Sequence, residues 1–125
     1  MKTQIATTKA PAAIGPYSQA IEANGIVFVS GQPPIAPATG EFAPGGVKEL
    51  TRQSLTNMQN ILAEVGLTME NVVKTTVFLA DMADFADMNS VYAEFFPGTC
   101  PARSAVAVKT LPKNALVEIE CIAVR

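Results

Sequence analysis

The sequence predicts an α+β fold: a single domain over residues 1–125, with two helices on one face of a mixed β-sheet. Two segments with helical periodicity alternate with β-branched runs, in the order β-β-α-β-α-β-β. The chain has 125 residues, of which 49% are hydrophobic, so it can fill a core of ordinary size. No internal repeat or linker divides the chain, and we therefore expect one domain.

The first predicted pair of strands surrounds Asn24-Gly25, after an irregular stretch over residues 1–15. The strands are Tyr17 to Ala23 and Ile26 to Ser30, and Asn-Gly between apolar runs is a strong signal for a two-residue hairpin turn. A connector rich in Pro and Gly follows, from Gly31 to Gly46. Connectors of this length without regular structure are usually functional or mobile. Two interpretations therefore remain, a lid over a site or a flap that only covers the core.

The two helices are predicted by apolar residues at spacings of three and four. The first runs from Val47 to Val65, and Gly66 stands where a helix C-terminal cap belongs. The second follows Asp81 and Asp84, which can cap its start, and Pro97-Gly98 ends it. Its apolar stripe consists of Phe85, Met88, Tyr92 and Phe95.

The last quarter of the chain, Pro101 to Val124, predicts a β-hairpin around a Leu-Pro-Lys-Asn turn. If Val106 and Val117 lie over the core, the alternation of side chains places Arg103 and Glu118 together on the opposite face. An Arg near a Glu on a strand is most often a structural ion pair. The alternative is a binding site, because a guanidinium can grip a carboxylate with two parallel hydrogen bonds.

Several predicted strands, such as residues 71–80, are apolar on both faces, yet two helices can cover only one face of the sheet. Burial of apolar surface is worth about 25 cal/mol per Å², so leaving a whole sheet face in water would be costly. A large exposed apolar face normally marks an interface. We therefore expect an obligate oligomer, whose number of subunits the periodicity does not give.

Composition excludes several classes of chemistry. The chain contains no His, which removes Ser-His and Cys-His nucleophilic systems and the commonest metal ligand. Its two cysteines, Cys100 and Cys121, form no CxxC pair, so neither a disulfide nor a zinc site is expected. A net charge of -2 without a basic run does not favour nucleic acid, and no apolar run is long enough to span a membrane. A cytoplasmic protein without metal is the expectation.

Several short motifs occur together in this chain. They are Pro101-Ala102-Arg103-Ser104, Leu111-Pro112, Val117-Glu118-Ile119-Glu120, Pro11-Ala12-Ala13-Ile14-Gly15-Pro16-Tyr17-Ser18-Gln19 and Ser30-Gly31-Gln32. With these motifs the chain resembles the reactive intermediate deaminase family (Rid, or YjgF, proteins) over essentially its whole length. The resemblance implies a homotrimer built like the trimeric bacterial chorismate mutases, with clefts between neighbouring subunits.

The resemblance also implies a reaction, the hydrolysis of 2-imino acids such as 2-iminobutanoate and 2-iminopropanoate to 2-keto acids and ammonia, without a cofactor. It implies that Arg103 holds the substrate carboxylate and that Glu118 orients and polarises water. Tyr17 would form a wall of the cleft. From the residues alone, the default interpretation of Tyr17 is an interface aromatic whose hydroxyl is satisfied.

The remaining candidates also follow from the resemblance. The backbone at Ser30 and Gly31 would lie against the ligand, although the same residues fit a simple turn. Asn89 would contribute to the site, or would simply be a polar residue on the outer face of a helix. Ala105 stands where many relatives carry Cys, so a required thiol is ruled out there, while a backbone contact is still expected.

Two rival functions are considered. A ligand-sensing or protein-binding module could use the same cleft without turnover. A ribonuclease or translation-inhibitor role is sometimes attached to this family, but the acidic balance and the missing His argue against it.

Overall fold

The computed structural model describes all 125 residues, which form eight strands and two helices. The strands are β1 (Thr3–Ile5), β2 (Ala20–Ala23), β3 (Ile26–Gln32), β4 (Ile35–Ala36), β5 (Glu41–Phe42), β6 (Val72–Leu79), β7 (Ala102–Ala107) and β8 (Val117–Val124). The helices are α1 (Val47–Glu64) and α2 (Phe85–Phe95). Six strands form one mixed sheet in the order β1-β2-β3-β8-β6-β7, and β4 and β5 form a separate small hairpin.

Both helices pack on one face of the sheet, and the predicted fold class is confirmed. Leu55, Met58 and Ile61 of α1 are completely buried, as are Val77 of β6 and Ile119 of β8. These side chains belong to one continuous apolar cluster between the helices and the sheet. Neither helix is long and apolar enough to cross a membrane.

The predicted turn and first helix are confirmed, whereas the bounds of the first strand pair differ from the prediction. Strand β2 begins at Ala20 and not at Tyr17, and β3 continues to Gln32. Asn24 and Gly25 both adopt positive φ, as a tight hairpin turn between β2 and β3 requires. Helix α1 ends one residue before the predicted end, and Gly66 has a φ of +77° in the capping position. The predicted irregular stretch over residues 1–15 contains β1, which pairs with β2 but is too short to show a periodicity.

The predicted hairpin over Pro101 to Val124 is wrong. Strand β6 lies between β7 and β8, pairing in parallel with β7 and antiparallel with β8. Thr75 of β6 is the partner of both Arg103 and Cys121. Because β6 has apolar side chains on both faces, it takes an inner position in the sheet and leaves β7 at the edge.

The faces of β7 are also reversed from the prediction. Ala105 packs against the core, whereas Val106 points away from the helices and is 44% exposed. Arg103, two residues before Ala105, therefore lies on the helix side of the sheet, where it contacts α2. Glu118 lies between the buried Val117 and Ile119 and points to the other side. Within one chain, the predicted meeting of Arg103 and Glu118 on a shared face does not occur.

The face of the sheet away from the helices is largely apolar, as the sequence predicts. Phe28 of β3 is 46% exposed, and Val106 and Val124 on two other strands are similarly accessible. Phe78 and Ile122 lie between them and are half-buried. This surface, which we term the open face, also carries Glu118 and Glu120.

Candidate active site

A cavity of about 620 Å³ opens beside the sheet and contains four of the predicted site residues, namely Tyr17, Ser30, Gly31 and Glu118. Its other lining residues are Pro11, Ala12, Ile14, Gln19, Gln32, Pro33, Ile35, Phe42, Pro112 and Lys113. A cavity with apolar walls and a few convergent polar groups is the usual form of a small-molecule site. We term this region the Glu118 half of the site.

Glu118 is half-buried and has neither a hydrogen-bond partner nor a cation paired with it. Burial raises the pKa of its carboxyl, and repulsion from the neighbouring Glu120 raises the pKa further. A carboxyl whose pKa is shifted upward toward neutrality is suited to accept and return a proton.

Gly31 is required by the position of that carboxylate. The pairing of β3 with β8 shifts register between Val29 and Gln32, so Gly31 comes directly beneath Glu118. A Cβ at Gly31 would collide with Oε2 of Glu118. The absence of a side chain at this position therefore lets the carboxylate sit over the backbone at the cavity wall.

The loop that carries Tyr17 is held by Gln19, a buried residue that the sequence analysis did not single out. The Gln19 amide nitrogen donates to the carbonyl of Pro11 at 2.7 Å, and its oxygen accepts from the Thr7 amide at 2.7 Å. Ser30 Oγ donates to the Ser18 carbonyl at 2.6 Å, so this hydroxyl serves the loop. Tyr17 itself is 53% exposed at the mouth of the cavity.

The long connector after Gly31 is more ordered than the sequence indicates, because it contains the β4–β5 hairpin. Ile35 and Phe42 of this hairpin line the cavity. The completely buried Asn57 of α1 donates from Nδ2 to the carbonyl of Ile35 at 2.9 Å and to that of Pro33 at 3.3 Å. The base of the hairpin is therefore fixed to α1, and the connector forms a wall of the cavity.

The second half of the site, which we term the Arg103 half, lies where β7 meets α2. The Arg103 guanidinium donates from Nη1 to Oδ1 of Asn89 at 2.7 Å. Its Cζ lies 4.7 Å from the ring centroid of Tyr92 and 5.4 Å from that of Phe85. Two further predicted site residues are thus placed beside Arg103. Asn89 contacts the guanidinium directly. Ala105, two residues after Arg103 on the same strand, packs against the core.

No Asp or Glu side chain pairs with Arg103. The chain has two ion pairs, which join Arg52 to Glu94 and Arg125 to Glu22. The structural ion pair considered for Arg103 is thus not formed within the chain. A guanidinium that is fixed by neutral groups, with no acidic partner, is free to bind an anion from outside.

The fold and the site together define a small α+β protein with a guanidinium that has no acidic partner and, in a separate place, a carboxyl of raised pKa that has no cationic partner. The chain belongs to the family described as Endoribonuclease L-PSP, whose sequence profile matches residues 7–125. The names of its relatives confirm the resemblance to the Rid, or YjgF, proteins.

Relatives match over nearly the whole chain. A RutC family protein of Pyrococcus horikoshii is 54% identical over 98% of this chain and 98% of its own length. The 2-iminobutanoate/2-iminopropanoate deaminase of Mus musculus is 51% identical over 97% of this chain and 90% of its own length. The crystal structure of E. coli TdcF with bound serine superposes with a TM-score of 0.94 at 46% identity, covering 98% of both chains.

Proposed function

We propose that this chain hydrolyses reactive 2-imino acids, such as 2-iminobutanoate and 2-iminopropanoate, to 2-keto acids and ammonia. The observation that carries the proposal is the Arg103 guanidinium, which is fixed by Asn89 and two aromatic rings and has no acidic partner. The substrate carboxylate would supply that partner. The name of the mouse relative, which is half identical in sequence, supports the same reaction class.

The proposed assembly is a homotrimer in which the open faces of neighbouring subunits meet. Apolar side chains of the open face, including Phe28 and Val106, would be removed from water by such an interface. Arg103 and Glu118 lie on opposite faces of one sheet, so a single chain does not join them in one site. A neighbouring subunit would bring its Arg103 half to the Glu118 half of the first.

The proposed mechanism uses no cofactor and no covalent nucleophile. Arg103 binds the substrate carboxylate with two N–H donors and so fixes the imine carbon relative to Glu118. Glu118 accepts a proton from water while the water oxygen bonds to that carbon. Glu118 returns this proton to the nitrogen, which gives a carbinolamine. Glu118 then takes the proton of the carbinolamine hydroxyl and passes it to the nitrogen, so that the C–N bond breaks as the C=O bond forms, and ammonia leaves the 2-keto acid. Because its pKa is raised, the Glu118 carboxylate is a stronger base toward the water proton.

The direct test generates 2-iminobutanoate with a threonine dehydratase and follows the loss of the imine with and without this protein. Arg103→Ala should lower kcat/KM by at least about 100-fold, because the charge-assisted anchor of the substrate is removed. The matched control is Arg52→Ala, which removes an exposed Arg of α1 that pairs with Glu94. Activity of Arg103→Ala equal to that of the control would contradict the assignment.

A second candidate is a ligand-sensing module that binds a small amino or keto acid without converting it. It is favoured by the TdcF neighbour, whose structure holds serine. Calorimetry with 2-ketobutyrate separates the two functions. Binding that depends on Arg103 without any acceleration of imine loss would support sensing, whereas binding together with acceleration supports the enzyme.

A further inference from the structure

One stripe of α2 surrounds the Arg103 guanidinium. Phe85, Asn89 and Tyr92 lie at positions i, i+4 and i+7 of the helix and therefore project from one side. Asn89 accepts a hydrogen bond from Nη1, and the two rings lie within cation–π distance of Cζ. Three neutral side chains from a single helix thus contact the same cation.

The ring of Tyr92 is itself fixed. It is only 5% exposed, and its hydroxyl shares a 2.7 Å hydrogen bond with Oγ1 of the buried Thr75. Thr75 is also the partner of Arg103 in the pairing of β6 with β7. Helix α2 and the strand pair that carries Arg103 are therefore joined next to the guanidinium.

This arrangement affects binding because a free Arg side chain has many rotamers. Ordering those rotamers costs free energy, which a ligand must otherwise supply when it binds. A guanidinium in contact with the fixed ring of Tyr92 and bonded to Asn89 has already lost part of that freedom. Since Asn89 uses one N–H group, the remaining donors are available to an incoming carboxylate.

We propose that Tyr92 and Phe85 are positioning residues, which hold the Arg103 guanidinium in its carboxylate-binding orientation before the substrate arrives, with Thr75 fixing Tyr92. The inference rests on the proposed function for its kinetic consequences. The ordering of the Arg103 side chain before binding does not depend on the proposed function, because it is a property of the free protein. The two can therefore be tested separately.

The main variant is Tyr92→Leu, with Tyr92→Phe as the conservative change that keeps the ring. Phe95→Leu is the matched control, since Phe95 lies on the same helix and lines a separate groove with Arg52 and Glu94. NMR relaxation of the Arg103 Nε–H group in the free protein reports its order, and kinetics with 2-iminobutanoate report KM and kcat. Tyr92→Leu should lower the order parameter and raise KM about tenfold, with a smaller change in kcat.

Tyr92→Phe keeps the ring beside Arg103 but removes its hydrogen bond to Thr75, so KM should rise by no more than about twofold. Unchanged Arg103 order in Tyr92→Leu, or an equal rise of KM in Phe95→Leu, would overturn the inference. If Tyr92→Leu does not fold, Phe85→Leu replaces it, and KM should then rise about threefold because one of the two rings remains. An unchanged KM in that variant would likewise overturn the inference. Full activity of Arg103→Ala would instead defeat the proposed function, without altering the relaxation result.

Discussion

The two halves of the site are built in opposite ways. The Arg103 half consists of regular elements, in which an edge strand and one helix face surround the cation with aromatic and amide groups. The Glu118 half has walls of loop and small-hairpin residues around an open cavity, and its carboxylate has no partner. The group that would orient the substrate is rigidly held, whereas the group that would move a proton is left unneutralised with a raised pKa.

This difference indicates what each half contributes. A bound anion needs a fixed geometry, and fixed geometry comes from packed secondary structure. A proton acceptor needs a suitable pKa, which comes from partial burial and from the absence of a cation. The Arg103 half has no proton acceptor and the Glu118 half has no fixed cation. We therefore predict that function depends on bringing the two halves together.

The largest expected effect comes from mixing two inactive variants. Arg103→Ala retains an intact Glu118 half, and Glu118→Gln retains an intact Arg103 half. If the site forms between subunits, trimers assembled from equal amounts of the two should contain complete sites at about a quarter of their interfaces. The measurement is imine hydrolysis after joint refolding, compared with unmixed samples. Mixed samples as inactive as the separate variants would contradict a site that is shared between subunits.

A loss of intermediate size is expected from Gly31→Ala. The added methyl group would displace the Glu118 carboxylate, and a shift of about 1 Å in a reacting group can cost roughly 100-fold in rate. The loss should appear mainly in kcat, because Arg103 still holds the substrate. Gly98→Ala is the control, since a methyl group there meets open space. A main effect on KM would indicate that Gly31 contacts the ligand and does not position Glu118.

The smallest expected effect concerns pH. The proposed mechanism uses ionised Glu118, so activity should fall as the pH drops through the raised pKa of this carboxyl. Glu120→Gln removes the repulsion that contributes to the shift, so the acid limb of the kcat/KM profile should move to lower pH. Part of the shift should persist, because burial is its larger cause. A limb that stays in place would mean that the titrating group is not Glu118.

The raised pKa of Glu118 also affects the stability of the fold, and the contribution of this carboxyl to stability is lowest at the pH values where the proposed activity is highest. The unfolded carboxyl ionises at lower pH than the folded one, so ionised Glu118 destabilises the fold above that range. This unfavourable contribution begins to decrease as the pH falls through the raised pKa of the folded protein, and it is gone below the pKa of the unfolded chain. The burial that raises the pKa of Glu118 therefore also lowers the stability of the fold when this carboxyl is ionised.

The sequence could predict those elements whose signals are local. The Asn24-Gly25 turn, helix α1 and the Gly66 cap each depend on residues close together in the chain, and all three are confirmed. The partner of β7 depends on distant residues. Adjacency of residues 101–107 and 117–124 favoured a hairpin, whereas the order β6-α2-β7 is the strand–helix–strand pattern that favours parallel pairing.

That single error changed the predicted site. Once β7 pairs with β6, the side chains alternate so that Arg103 lies on the helix side and Glu118 on the open face. The motifs identified both residues, but could not show that one chain keeps them apart. Tyr92 and Gln19 were not singled out as site residues, since an aromatic in an apolar stripe and a lone Gln are ordinary in sequence.

The Gln19 amide has a consequence for the N-terminal segment. The Gln19 side chain bonds the backbone of Thr7 in both directions, since its Oε1 accepts from the Thr7 N–H and its Nε2 donates to the Thr7 carbonyl. The same nitrogen also donates to the carbonyls of Ala10 and Pro11. Detachment of the first eleven residues would therefore remove every partner of this side-chain amide inside the protein. Fraying at the chain start and loss of the wall that carries Tyr17 should accordingly happen as one event.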